Sequence, residues 1–190
     1  MEKGLIHLYC GDGKGKTTAA VGLAVRMAGA GKGVVFSQFF KDGSSSEICA
    51  LKKLGVRVMN CETVSGWFSR MTPEEKNKVR EDYSRFLEEV FEAAKQADLL
   101  GLDEVVFACG NNTIRESRLT ELLKDRPEGL EVVLTGRNPP ESLVDMADYV
   151  TQMTKGKPPY DRGISARHGI EFEAQKEVES ESTFHLFWSP

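Results

Sequence analysis

The sequence predicts an α/β fold, with a mostly parallel sheet held between helices in three layers. Three observations carry that reading. Short apolar runs alternate with helix-like segments along most of the chain, as in a sheet with helices on both faces. The first run ends in a glycine-rich turn that opens directly into an alanine-rich helix. The length of 190 residues fits one domain, which can bury roughly 70% of the surface its unfolded chain exposes.

Taken in order, Leu5 to Tyr9 is a short strand, and Thr17 to Ala30 is a helix stopped by Gly29, Gly31 and Gly33. Val34 to Phe39 reads as a buried strand, Glu47 to Leu54 as a short helix and Val56 to Met59 as a third strand. Cys61 to Met71 is irregular and holds Trp67 and Phe68. Thr72-Pro73-Glu74-Glu75 then supplies an N-cap, a proline at the first helical position and a capping-box glutamate. Behind it Val79, Tyr83, Phe86, Leu87, Val90, Phe91 and Ala94 recur at helical spacing and mark a buried face. Leu99 to Leu102 is a strand, followed by Asp103 and Glu104. A helix from Glu116 to Lys124, a strand from Glu131 to Thr135, a short helix from Pro140 to Met146 and a strand from Tyr149 to Met153 complete the pattern. From about Thr154 the chain is polar and irregular.

Composition excludes several classes. Asp and Glu outnumber Lys and Arg by 29 to 25, a poor balance for binding nucleic acid through its phosphates. Cys10, Cys49, Cys61 and Cys109 form no C-x-x-C pair, which argues against a zinc knuckle or a dithiol redox centre. They read as small core residues. No apolar stretch is long enough for a signal peptide or a membrane span, so the expected compartment is the reducing cytoplasm. The histidines His7, His168 and His185 lack metal-ligand spacing, and His7 in the first strand is expected to be a hydrogen-bonded core residue.

The chemistry lies in two segments. Cys10-Gly11-Asp12-Gly13-Lys14-Gly15-Lys16-Thr17-Thr18 joins a strand to a helix, the setting a phosphate-binding loop (P-loop) requires. Its glycines let successive N–H groups turn inward, and the helix N-terminus adds partial positive charge. Lys16 would reach the phosphates and the Thr17 hydroxyl would ligate Mg²⁺. Cys10 stands where the pattern usually starts with glycine. The second segment, Leu99-Leu100-Gly101-Leu102-Asp103-Glu104, ends a strand in two acids at the edge of the sheet where ligands bind. Asp103 or Glu104 could hold Mg²⁺, directly or through water, and spacing does not choose between them. No Asn-Lys-x-Asp guanine motif occurs, which disfavours a GTPase.

Gly13-Lys14-Gly15-Lys16-Thr17-Thr18 resembles the loop of the P-loop ATP:corrinoid adenosyltransferases. The resemblance continues through Gln38-Phe39 with Lys41, Leu102-Asp103-Glu104, Leu134-Thr135-Gly136-Arg137, Ala147-Asp148 and Val150-Thr151. It ends with Lys157-x-Pro159, Asp161-x-Gly163-Ile164, Ala166 and Gly169-Ile170-Glu171. It implies a RecA-like adenosyltransferase domain over residues 1–172, with 173–190 as a C-terminal extension. It further implies a homodimer that uses ATP and Mg²⁺ to adenosylate the cobalt(I) of cobalamin or cobyrinic acid a,c-diamide, releasing triphosphate. The enzyme would then be of the cob(I)yrinic acid a,c-diamide type, serving cobalamin biosynthesis, with a reductase or flavodoxin as electron donor.

By the same resemblance, Lys16 and Glu104 carry catalysis, and Thr17, Asp103 and Glu104 hold the metal. Gly11 through Thr18, together with Arg137, bind the nucleotide. The family's Gly-Phe-x-Trp stretch, whose aromatics cover the lower corrin face, has its counterpart in Gly66-Trp67-Phe68-Ser69 with the aromatics permuted. The alternatives are a P-loop small-molecule kinase of the thymidine-kinase type, which usually carries a zinc ribbon, and a RecA-like ATP-binding module.

Overall fold

The computed structural model describes residues 3–41, 43–61, 63 and 71–170. The chain divides into a unit over Met1–Pro158 and a second over Pro159–Pro190. In the first unit β1 (Ile6–Cys10), α1 (Lys16–Gly29), β2 (Val34–Gln38), α2 (Ser46–Lys53) and β3 (Arg57–Asn60) alternate. Then follow α3 (Pro73–Ala94), β4 (Leu99–Asp103), α4 (Val105–Gly110), α5 (Glu116–Lys124), β5 (Glu131–Thr135), α6 (Glu141–Met146) and β6 (Tyr149–Gln152). The described part of the second unit holds a single 3₁₀ turn, Pro159–Arg162.

The six strands lie in the order β3-β2-β4-β5-β1-β6, and every pairing is parallel. Side chains alternate across the sheet and sort the core into two halves. Ile6, Leu8, Leu100, Leu102, Val132 and Leu134 pack with α3, α4, α5 and α6. Val34, Phe36, Leu99 and Val133 pack on the other face with Ala20 and Ala24 of α1 and Ile48 and Leu51 of α2. The three-layer parallel architecture read from the sequence is therefore present. The Thr72 capping box also forms, with Thr72 Oγ1 accepting from Glu75 N and Glu75 Oε2 accepting from Thr72 N.

One element goes unread in the sequence, and one expectation needs correction. After Glu104, where no element is expected, Val105–Gly110 is a helix that buries Val105, Val106, Ala108 and Cys109. Six residues are too few to show helical periodicity, and the helix is held by tertiary burial instead. Among the cysteines, Cys10, Cys61 and Cys109 are buried as expected, but Cys49 is exposed on the outer side of α2. The Cys109 thiol is pushed up to about 12, chiefly by burial and further by Glu116, so it stays protonated and inert. His7 is hydrogen-bonded as expected, to Glu131 Oε1, and stacks on Tyr149.

The topology decides where chemistry can occur. In a parallel sheet all strands end at one edge, and here Cys10, Gln38, Asp103 and Thr135 arrive there together. β5 lies between β1, which leads into the phosphate loop, and β4, which ends in the acids.

Candidate active site

The turn after β1 is built by close backbone approach. Gly11 adopts φ +103°, and a Cβ there would lie 2.3 Å from the Met153 carbonyl oxygen. Gly13 donates its N–H to that same carbonyl at 2.8 Å, and a Cβ on it would stand 2.8 Å from the Met153 backbone. These glycines therefore serve packing against the strand-end after β6 as well as loop curvature. Asp12 faces the same segment and accepts from Lys155 N at 3.3 Å. Lys16, only 7% exposed, folds back so that its ammonium donates to the Gly13 carbonyl at 2.8 Å. Thr18 is exposed on the first turn of α1.

The second half of the site is a web around Asp103, which is fully buried. Its Oδ1 accepts from the Thr17 hydroxyl at 2.9 Å and from the Thr135 hydroxyl at 2.7 Å. Its Oδ2 accepts from the Lys41 ammonium at 2.8 Å and from Gln38 Nε2 at 3.3 Å. A carboxylate held by four donors is satisfied, and through them Asp103 ties Thr17 and Lys41 to the end of β4.

Glu104 differs from its neighbour. It sits in the left-handed region at φ +62°, a conformation that costs a non-glycine residue about 1–2 kcal/mol. Its N–H donates to Thr135 Oγ1 at 2.8 Å, which holds it there. Its carboxylate lines a cavity of about 360 Å³ with Phe39, Phe40, Lys41, Phe107 and Arg137. Burial raises its pKa first and Asp103 raises it further, against the lowering pull of Lys41, Lys16 and Arg137. In the folded state Glu104 thus binds a proton more readily than in the unfolded chain. Stability falls as pH rises through that interval, and the deficit persists above it. We therefore expect Glu104→Gln to melt at a higher temperature than the parent at pH 8. The gain should vanish as pH falls below the ordinary carboxylate value, and an equal gain at both ends of a pH series of melts would refute it.

The cavity carries aromatics the sequence reading did not single out. Phe40, also left-handed at φ +57°, donates its N–H to Tyr83 Oη at 3.0 Å and stacks on that ring at 4.9 Å. Phe107, 47% exposed on α4, meets Phe40 edge-on at 5.2 Å. Neither has a local signal, since one depends on the strained turn after β2 and the other on the unread helix α4. Lys41 and Gln38 figure only in the family resemblance, although Ser37-Gln38, a polar pair closing a buried strand, could flag Gln38. Thr135 could have been found in the same way, as the polar end of Val132-Val133-Leu134.

Lys16, Thr17, Asp103, Glu104 and Arg137 are thus gathered at one sheet edge as the sequence implied. Trp67 and Phe68 lie outside the described residues. Among the described residues no three His, Cys, Asp or Glu side chains group to cage a metal. The set suits a hydrated divalent cation carried by a phosphate ligand, which needs only one or two protein oxygens. Gln38 Oε1 is a buried acceptor with no hydrogen-bond partner, as a metal-bound water would require. The Thr17 hydroxyl has its hydrogen committed to Asp103, leaving its lone pairs for a cation.

The family model for ATP:corrinoid adenosyltransferase BtuR/CobO/CobP matches residues 2–172. The chain belongs to this family. It is 31% identical over 178 residues to the corrinoid adenosyltransferase of Escherichia coli K12, spanning 90% of this chain and 87% of that protein. It is 33% identical over 179 residues to the corresponding protein of Sinorhizobium sp., spanning 90% and 81%. It is 31% identical to corrinoid adenosyltransferase CobA of Salmonella typhimurium LT2, spanning 90% and 87%. Among solved structures, the KaiC-like protein PH0186 of Pyrococcus horikoshii aligns with a TM-score of 0.49 and 18% identity, over 83% of this chain and 76% of that one. The activity of the adenosyltransferase family is transfer of the adenosyl group of ATP to the cobalt of a corrinoid. No described helix is long and apolar enough to cross a membrane.

Proposed function

We propose that this adenosyltransferase binds MgATP with its triphosphate against the loop Gly11–Thr18 and against Lys16, with Lys41 and Arg137 on the far side. The observation that carries the reading is the Thr17–Asp103–Lys41 chain, which joins the loop to the acidic strand and to the Lys41 ammonium. The reaction is substitution at the ribose C5′. The cobalt(I) electron pair forms the Co–C5′ bond, the C5′–O bond breaks, and its electron pair leaves with the triphosphate. Cobalt(I) is a strong nucleophile and needs no general base, so the chain's task is electrostatic. Lys16, released from the Gly13 carbonyl, meets the charge that gathers on the leaving group, and the loop N–H groups join it. Bound Mg²⁺ would supply Lewis-acid charge at the same phosphates, held by Thr17, with Glu104 as the less committed acid and Asp103 behind Thr17.

The acceptor we favour is cobyrinic acid a,c-diamide. Comparing kcat/KM for it and for cobalamin tests that choice, and a clear preference for cobalamin would reverse it. We further propose a cytoplasmic homodimer fed by a reductase or flavodoxin, with 173–190 as an extension beyond the catalytic domain.

Trp67 and Phe68 are proposed to pack under the corrin ring. Cobalt(II) is hard to reduce while an axial ligand donates electrons to it, and apolar side chains in that position exclude the ligand. Trp67→Ala or Phe68→Ala should then be at least tenfold slow when a protein reductant makes cobalt(I) on the enzyme. Each should be near normal when cobalt(I) is supplied ready-made. Equal losses in both assays, with a lowered Tm, would assign these aromatics to the core instead.

A further inference from the structure

We infer that the Thr135 hydroxyl is a positioning group that sets the geometry of both acids at once, an inference that rests on reading this site as one for MgATP. The hydroxyl is fully buried and does two jobs: it donates to Asp103 Oδ1 at 2.7 Å and accepts the Glu104 N–H at 2.8 Å. Its mounting is rigid. Thr135 is paired with Tyr9 across β1, and the next residue, Gly136, donates its N–H to the Tyr9 carbonyl at 3.2 Å. Gly136 also passes so close over α4 that a Cβ on it would stand 2.5 Å from Val106 Cβ. The end of β5 and the first turn of α4 are therefore in close backbone contact, with no room for a side chain between them.

Two consequences follow from the donor and acceptor roles. Oδ1 of Asp103 has two lone pairs, and the Thr135 hydroxyl takes one, which directs the other at Thr17. The carboxylate is thereby stopped from rotating, and Thr17 keeps its lone pairs turned away from Asp103. At Glu104 the hydroxyl accepts the one N–H that the left-handed turn would otherwise leave unpaired. That bond holds the Glu104 side chain toward the cavity it shares with Lys41 and Arg137. β5 separates the loop strand from the acid strand, so a hydroxyl at its tip is placed to tie them together.

The test compares Thr135→Ser with Thr135→Val in the full-length protein. Serine keeps the hydroxyl, whereas valine keeps the shape and removes it. ATP binding is read by calorimetry on the protein alone, with and without Mg²⁺, and kcat and the corrinoid KM are read separately. We expect Thr135→Ser to stay within about threefold of the parent in every constant. Thr135→Val should weaken MgATP binding and lower kcat by roughly ten- to a hundredfold each, the loss expected when hydrogen bonds to a charged group go. Its corrinoid KM should not change. If Thr135→Val does not fold, Thr135→Ala, which leaves room for water, is read in the same way. Native MgATP binding and kcat in the hydroxyl-free variant would overturn the inference, whatever its Tm. So would a serine variant as impaired as valine. A parent protein that binds no MgATP would instead sink the reading of the site itself.

Discussion

Lys16→Ala is expected to lower kcat at saturating ATP by about 100-fold. The Lys16 ammonium is nearly buried at the mouth of α1, with its charge parked on the Gly13 carbonyl at 2.8 Å. That bond is weaker than one to an anion, so a triphosphate entering the loop takes the ammonium over. The attraction grows as the C5′–O bond breaks and charge gathers on the leaving group. The effect therefore falls on kcat and not only on KM. Removing one such preorganised charge costs on the order of 3 kcal/mol at the transition state, or about two decades in rate. The fold should survive, because the loop is also held by the Gly13 N–H to Met153. Near-normal turnover in a folded Lys16→Ala protein would reject the role.

Asp103→Asn is expected to damage both stability and metal dependence. An amide can still accept from Thr17 and Thr135 through its oxygen, but its NH₂ must then face the Lys41 ammonium and the Gln38 amide, which are both donors. Breaking a buried pair in this way costs on the order of 3 kcal/mol, toward the low end here because Lys41 is 29% exposed. The Mg²⁺ concentration for half activity should rise at least tenfold, since a neutral amide oxygen holds the Thr17 hydroxyl more weakly than the carboxylate does and the negative charge behind the cation is lost. Glu104→Gln, one residue on, should instead raise the melting temperature while slowing the reaction. Adjacent carboxylates with opposite signs in thermal melts would separate the anchor from the strained functional acid. Destabilisation of the same size in both variants would place them in one structural role.

What could be read from the sequence, and what could not, follows from the range of the interactions. The capping box at Thr72 spans three residues and formed as expected. The strand–loop–helix at Cys10 to Thr17 is equally local, and it appeared with Lys16 and Thr17 in place. Asp103 and Glu104 were legible as a pair, but their different duties were not. Those duties are set by Thr17, Thr135, Gln38 and Lys41, which lie between 31 and 86 residues away in the chain. The left-handed turns at Phe40 and Glu104 break local preference and are held by Tyr83 and Thr135 from other elements. Strained positions of this kind gather at functional sites because surrounding structure must over-determine them. Gly11 and Gly13 are legible as part of a loop, yet their close approach to Met153 depends on the fold, since Met153 follows β6.

The most direct test is a single anaerobic incubation of the protein with MgATP and chemically reduced cobalamin. The cobalt–carbon bond is followed optically, and the phosphate products are resolved by phosphorus NMR. The account predicts adenosylcobalamin and inorganic triphosphate in equal amounts, both depending on the protein and both collapsing in Lys16→Ala. ADP or orthophosphate formed from ATP while the cobalamin spectrum stays that of the unalkylated cofactor would contradict it.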